Sequence, residues 1–211
     1  MTDQETTVIL ANGEFPNRPE LLALLRSAPR VICCDGAADA LLRFGRMPDF
    51  AVGDGDSILP ETRKILGSRL IRISNQETND LTKCFNFCRE NGWKHIVILG
   101  AGGKRDDHLL GNLSLLADYA MSCGDIALCT NFGVFRVARQ SGGFPAVKGQ
   151  QISIFALESG TAVTSRGLKY PLHQLRLDRW WQATLNEAEG DTFHLDFTSG
   201  KTLLIYWAYQ Q

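Results

Sequence analysis

The 211-residue sequence predicts an α/β protein in which an N-terminal doubly wound, mainly parallel sheet domain precedes a C-terminal antiparallel β-sandwich domain. Three observations carry this expectation. Short apolar runs alternate with one-faced helical patterns up to about residue 130. Beyond residue 131 the helical patterns stop and strands follow one another through glycine-rich turns. A hydrophobic content of 44% in a chain of this length builds one good core or two small ones. The expected domains are 1–131, the α/β part, and 132–211, the β-sandwich.

In the first domain the apolar runs are 8–11, 31–34, 50–52, 70–73, 95–99 and 126–129. Helical patterns at 19–27, 37–44, 60–67, 78–91 and 107–121 lie between them. Leu81, Cys84, Phe85 and Cys88 stand at i, i+3, i+4, i+7, and Leu109, Leu113 and Leu116 follow the same stripe. Thr78 and Asp107 read as N-caps. Apolar strands without alternation, covered by one-faced helices, suit a parallel sheet buried on both sides. In the second domain 132–138, 151–157, 161–165, 180–185, 192–197 and 201–209 read as strands, with turns at 141–143, 158–160, 189–191 and 198–200.

Composition removes several classes. With 22 Lys+Arg against 23 Asp+Glu the net charge is −1, which disfavours a basic nucleic-acid binder. No stretch approaches the roughly 20 apolar residues of a membrane span, and the acidic, polar start at residues 1–5 does not read as a secretory signal. Six cysteines with no CxxC pair read as reduced core thiols. A cytoplasmic protein with neither nucleic-acid nor membrane partners is expected.

The chemistry gathers at strand ends. Of 14 aspartates, 8 lie from Asp35 to Asp107. Asp35-Gly36 follows the second run, Gly53-Asp54-Gly55-Asp56-Ser57 the third, and residues 100–108 the fifth. The carboxyl edge of an open parallel sheet is where ligands bind, although Gly and Asp are also ordinary turn formers and helix caps. Asp54 and Asp56 repel each other unless a cation lies between them, and Mg2+ takes carboxylate oxygens while leaving positions for phosphate and water. Asp80 and Lys83 lie about 60° apart on their helix, so a carboxylate and an ammonium face the same way at an anion-favouring N-terminus. An ordinary i,i+3 ion pair is the simpler reading of that pair. Asp80 would complete a metal set with Asp54 and Asp56, and Lys83 would hold phosphate. The glycines at 100, 102 and 103 admit a polyphosphate to the backbone, and Arg105 can hold its oxygens in a fork, although the loop is neither a Walker A nor a GxGxxG motif. His108 is either a ligand contact or a structural first-turn histidine.

Together these segments resemble the thiamine pyrophosphokinase family. The resemblance runs through Asp35-Gly36-Ala37-Ala38, Pro48-Asp49, Gly53-Asp54-Gly55-Asp56-Ser57, and Gln76 with Asp80 and Lys83. It continues in Gly100-Ala101, Gly103, Arg105, Asp107-His108 and Asn112-Leu113, then in Gly167-Leu168-Lys169-Tyr170-Pro171-Leu172 and Asn186-Glu187. The chain departs from the family pattern at Asp39 (Asn), Asn79 (Thr), Lys104 (Gly) and Leu185 (Ser).

The resemblance implies Mg2+-dependent transfer of pyrophosphate from ATP to thiamine, with release of AMP. It implies metal ligation by Asp54, Asp56 and Asp80, which with Arg105 form the catalytic set. Asp35, Gly36, Gln76, Lys83, Gly100, Gly103, Asp107 and His108 are expected to bind the nucleotide and metal, and Thr184 and Asn186 to bind thiamine. A homodimer with its active site at the subunit interface is expected as well. Two alternatives stand beside it: the same transfer to another heteroaromatic alcohol such as a hydroxymethyl pterin, prompted by Leu185, and a nucleotide-binding regulatory module without catalysis.

Overall fold

The computed structural model describes residues 5–210, and the chain divides into two compact units, Met1–Asn131 and Phe132–Gln211. The first four residues of the polar start, residues 1–4, lie outside the described residues.

In the first unit β1 (Thr7–Leu10), β2 (Arg30–Cys34), β3 (Phe50–Gly53), β4 (Leu70–Arg72), β5 (His95–Leu99) and β6 (Asp125–Cys129) lie in the order β6-β5-β1-β2-β3-β4. Every adjacent pair is parallel. The crossovers carry α1 (Pro19–Ser27), α2 (Ala37–Arg43), α3 (Pro60–Leu66), α4 (Asp80–Glu90) and α5 (Asp106–Ser122). Val8, Ile9, Val31 and Ile32 are wholly buried, which is why these strands show no polar alternation. The chain begins at β1, steps outward to β4, and returns through α4 to β5 on the other side of β1. The direction of winding therefore reverses between β1 and β5, the place where open α/β sheets leave a crevice for ligands.

The apolar stripe of α4 packs as its spacing predicts. Leu81, Cys84, Phe85 and Cys88 are buried, and the Phe85 ring stacks on Tyr119 of α5 at 4.1 Å. Both expected caps move by a residue or two. Asn79, not Thr78, caps α4, its side chain accepting the Thr82 N–H at 2.9 Å. α5 begins at Asp106 with Arg105 at its N-cap, because the Asp107 carboxylate faces the Arg105 guanidinium. All six cysteines are buried, and burial pushes the thiols of Cys33, Cys84 and Cys88 up.

The second unit is antiparallel throughout its strand pairs. Its strands are β7 (Gly133–Ala138), β8 (Gly142–Pro145), β9 (Gln151–Ala156), β10 (Thr161–Arg166), β11 (Leu175–Leu177), β12 (Ala183–Glu187), β13 (Thr192–Phe197) and β14 (Leu203–Ala208). One layer runs β12-β9-β14-β7 and the other β11-β10-β13-β8. Ile152, Ile154 and Ile205 from the first share a core with Val163, Phe193 and Leu195 from the second.

Three expectations change here. Gly142 and Gly143, read as a turn, pair with Leu195 and His194 as part of β8. A Cβ on Gly143 would stand 3.0 Å from the His194 ring, a tight fit beside its strand partner, and glycine hides the strand from a hydrophobic pattern. The expected strand at 180–185 is instead a 3-10 turn over Trp180–Gln182 leading into β12, which slips register between Ala183 and Asn186. The three-residue β11 was not anticipated.

Candidate active site

At the reversal point a cleft of about 350 Å³ is lined by the ends of β1 and β5 and the N-termini of α4 and α5. Asp80, Gly100, Arg105 and His108 of the sequence-derived set line it. Asn12 and Gly13, which sequence reasoning passed over, line it too. Their signal was present, since a Gly turn directly after an apolar run is the pattern that marked the other loops. Gly13 admits no side chain because a Cβ would collide with the carbonyls of Gly100 and Gly102. Its own N–H donates to Gly100 O at 2.7 Å, and that of Glu14 to Gly102 O at 2.7 Å, so two strand-end loops zip together. Lys104 Nζ, 3.0 Å from the Asn12 carbonyl, reinforces the join.

The carboxylate loop is organised by its own backbone. The Asp56 N–H donates to Asp54 Oδ1 at 3.0 Å and Gln76 Nε2 to Asp54 Oδ2 at 3.1 Å. These two bonds, the backbone one foremost, hold the Asp54 carboxyl below the usual carboxylate range, with the Lys83 charge adding to them. Beneath the loop Asp35, at φ 40° and only 2% exposed, accepts the Ser57 N–H at Oδ2. Its Oδ1 is buried without a hydrogen-bond partner among the described residues. Gly53 leaves room for that carboxylate, since a Cβ there would lie 2.9 Å from Asp35 Cβ. Gly36 does the same for Asn12, whose Nδ2 would be 2.8 Å from a Cβ. Asp39, one turn into α2, receives the Leu59 N–H that opens α3.

On the cationic side Lys83 is 4% exposed and its Nζ lies 3.0 Å from Asp80 Oδ1. The structure thus contains the simple i,i+3 pair, with its carboxylate at the cleft wall. Arg105 is engaged side-on by Asp107, Nε to Oδ1 at 3.0 Å and Nη2 to Oδ2 at 2.5 Å, and this pairing brings the Asp107 carboxyl down to about 2. The pairing engages Nε and Nη2 and leaves the Nη1 edge of the guanidinium outside it. Asp107 also accepts the His108 N–H at 2.9 Å, and the His108 side chain is exposed at the cleft rim. Gly103, at φ 85°, lies against Glu14 with no space for a Cβ.

Thr184 and Asn186 lie on β12 in the second unit. Asn186 is 3% exposed, and its amide is engaged by main chain. Oδ1 accepts from Tyr170 N at 3.1 Å and Glu187 N at 2.9 Å, while Nδ2 donates to Tyr170 O at 2.7 Å. Thr184 Oγ1 donates to Trp181 O at 2.9 Å. Between them Leu185 sits at φ 58° and is 78% exposed, with its N–H held by Ser153 Oγ. The expected acceptor contacts therefore brace the segment, and Leu185 is the side chain it presents outward.

A parallel sheet with a switch-point cleft lined by Asp80, a glycine loop, Lys104 and Arg105, followed by a β-sandwich, defines a two-part α/β protein. Its first part matches the family model "Thiamin pyrophosphokinase, catalytic domain" over residues 21–128, and its second "Thiamin pyrophosphokinase, substrate-binding domain" over residues 133–206. The chain belongs to the thiamin pyrophosphokinase family. It is 32% identical over 137 residues to thiamine pyrophosphokinase 1 of Oryza sativa subsp. japonica, covering 52% of this chain and 50% of the rice protein. It is 27% identical over 199 residues to thiamin pyrophosphokinase 1 of Caenorhabditis elegans, covering 81% and 76%. The match thus spans about half the length of the rice relative. In structure it is similar to thiamine pyrophosphokinase from Bacillus subtilis, with a TM-score of 0.82 at 24% identity over 98% of this chain and all of that one. The Candida albicans enzyme superposes with a TM-score of 0.81 at 17% identity, over 98% and 90%. No helix among the described residues is long and apolar enough to cross a membrane.

Proposed function

We propose that this chain transfers the pyrophosphoryl group of ATP to the hydroxyl of thiamine in a Mg2+-dependent reaction, giving thiamine diphosphate and AMP. The observation that carries the reading, beside family membership, is the cleft: Asp80 of α4 lines it together with Gly100 to Gly102 and Arg105 after β5, and Ser57 on its wall is held by the buried Asp35 carboxylate. Among the described residues no three His, Cys, Asp or Glu side chains gather as a metal cage. Magnesium needs none, since it binds through one or two carboxylates together with substrate phosphates and water. Asp54, held ionised, and the unpartnered Oδ1 of Asp35 make this a fitting donor set. Asp54, with Asp56 or Asp80 as a second carboxylate, would hold the metal in company with ATP.

Bound there, Mg2+ would neutralise charge on the polyphosphate and on the departing α–β bridging oxygen. Gly100 to Gly103 cradle the phosphates, Arg105 grips their oxygens, and Lys83 adds a fixed positive charge behind Asp80. Positioning the alcohol in line with the β-phosphorus supplies most of the acceleration, and a carboxylate of the aspartate set takes the hydroxyl proton. The homodimeric, interface-shared site and the cytoplasmic setting belong to the same proposal. Leu185 keeps transfer to a pterin alcohol as the second reading. A coupled assay for AMP release separates them. Release that requires ATP, Mg2+ and thiamine is expected. Release with a hydroxymethyl pterin but not thiamine would overturn the acceptor, and none with either would leave a nucleotide-binding module.

A further inference from the structure

Two asparagines lie between the metal-side helix and the phosphate-side loop. Asn79 Oδ1 accepts from Thr82 N at 2.9 Å and Thr82 Oγ1 at 2.8 Å, which turns its Nδ2 toward Asn112 Oδ1, 3.3 Å away. Asn112, 9% exposed on α5, donates from its own Nδ2 to Ala101 O at 2.8 Å. Both amide orientations follow from the partners, because a backbone N–H only donates and a carbonyl only accepts. The chain extends one step further. Thr82 has a single hydroxyl proton and gives it to Asn79, so at the 2.7 Å contact the donor is Tyr119. Burial raises the Tyr119 phenol, keeping it a donor. The bonds therefore run in one sense, from Tyr119 through Thr82, Asn79 and Asn112 to the Ala101 carbonyl.

That last bond completes a set. Gly100 O and Gly102 O are tied to Gly13 and Glu14, and Ala101 O to Asn112, so three successive carbonyls of the loop are anchored. In a trans peptide the N–H points opposite to the carbonyl, so anchoring these three orients the amides of Ala101, Gly102 and Gly103 away from their anchors. We propose that Asn79 and Asn112 are positioning residues that couple the helix end bearing Asp80 to the glycine loop, so that the metal-side carboxylate and the phosphate-binding backbone are held in one geometry. This inference rests on the proposed phosphotransfer site but does not depend on which alcohol is the acceptor.

Asn79→Thr tests it selectively, because threonine still caps the helix through its hydroxyl, but that hydroxyl ends one bond short of the Nδ2 that reaches Asn112. Two quantities are read: amide hydrogen exchange of Ala101 to Gly103, and calorimetric binding of Mg2+ with α,β-methylene-ATP, whose carbon bridge blocks transfer. The expected result is faster loop exchange and binding weakened about 3- to 10-fold, the range of one lost hydrogen bond, with melting shifted by no more than a few degrees. In an Asn112→Leu background Asn79→Thr should add nothing further to either quantity. Unchanged loop exchange in Asn79→Thr, or fully additive effects of the two substitutions, would overturn the coupling. Normal coupling in a protein that releases no AMP with thiamine or a pterin alcohol would instead overturn the proposed activity alone.

Discussion

Replacing Asn186 by alanine asks whether that side chain serves a ligand or the fold. The structure gives its amide three main-chain bonds, at 2.7, 2.9 and 3.1 Å, two of them to Tyr170 sixteen residues away. Each neutral bond contributes about 0.5–1.5 kcal/mol net, so alanine should cost roughly 2–4 kcal/mol. For a chain of this size that is a fall in Tm on the order of 5–12 °C. Asn186→Asp keeps both accepting roles but sets a carboxylate oxygen against the Tyr170 carbonyl, and should be no more stable than alanine. Thermal melts read the first effect, and the KM for thiamine and for ATP, measured well below Tm, read the second. The reasoning predicts destabilised variants whose thiamine KM rises while the ATP KM holds. A variant that melts like the parent yet loses thiamine would show that the Asn186 amide is a ligand contact and not a clamp on Tyr170.

Asp54→Asn should stay folded and lose on the order of 100-fold or more in turnover, since the loop retains its other backbone bonds; more than about a tenth of the parental rate would remove Asp54 from the metal role. Arg105→Lys keeps the charge but not the side-on pairing with Asp107 that leaves a guanidinium edge for phosphate, so the ATP KM should rise and turnover fall; parental values for both would clear Arg105 of gripping phosphate. Leu185→Gly relieves a left-handed backbone worth about 1 kcal/mol and should raise Tm by roughly 2–4 °C. Leu185→Ser should tighten thiamine several-fold with ATP dependence untouched, and no core is lost because the side chain is 78% exposed. Acid unfolding supplies the last check. The Asp107 carboxyl titrates at about 2 when folded against about 3.9 unfolded, so its stabilisation is complete above pH 4 and is lost as pH falls toward 2. Denaturant melts between pH 2 and 7 should show Asp107→Asn with a flatter acid limb than the parent.

What the sequence shows and what it hides divide along physical lines. The α4 stripe was legible because burial of Leu81, Cys84, Phe85 and Cys88 on one face is a local, periodic requirement. The strand-end clusters were legible because glycine and aspartate recur there directly after apolar runs, in the loops where a parallel strand hands over to a helix. Strand β8 was hidden because Gly142 and Gly143 contribute no side chain to a pattern, and their place is set by pairing with β13, some fifty residues on. The α4 cap was read one residue early, at Thr78, because threonine is itself a capable cap; Asn79 has its Oδ1 taken up by Thr82 while its Nδ2 meets Asn112 thirty-three residues away. Asn186 is expected to bind thiamine from the family resemblance, and its bonds to the Tyr170 main chain, sixteen residues away, are a further use that no local pattern encodes. The meeting of Asn12 and Gly13 with the Gly100 loop depends on strand order, which puts β1 beside β5 and which no local pattern encodes.

The central claim is that the cleft between β1 and β5 moves two phosphates at once from ATP to thiamine. Phosphorus NMR of the reaction, with ATP, Mg2+ and thiamine supplied to the purified chain, tests it most directly. The account predicts AMP and thiamine diphosphate appearing in equal amounts, with both formed on the order of 100-fold or more slower by Asp54→Asn. Formation of ADP with thiamine monophosphate, or of free pyrophosphate with AMP and unchanged thiamine, would contradict it.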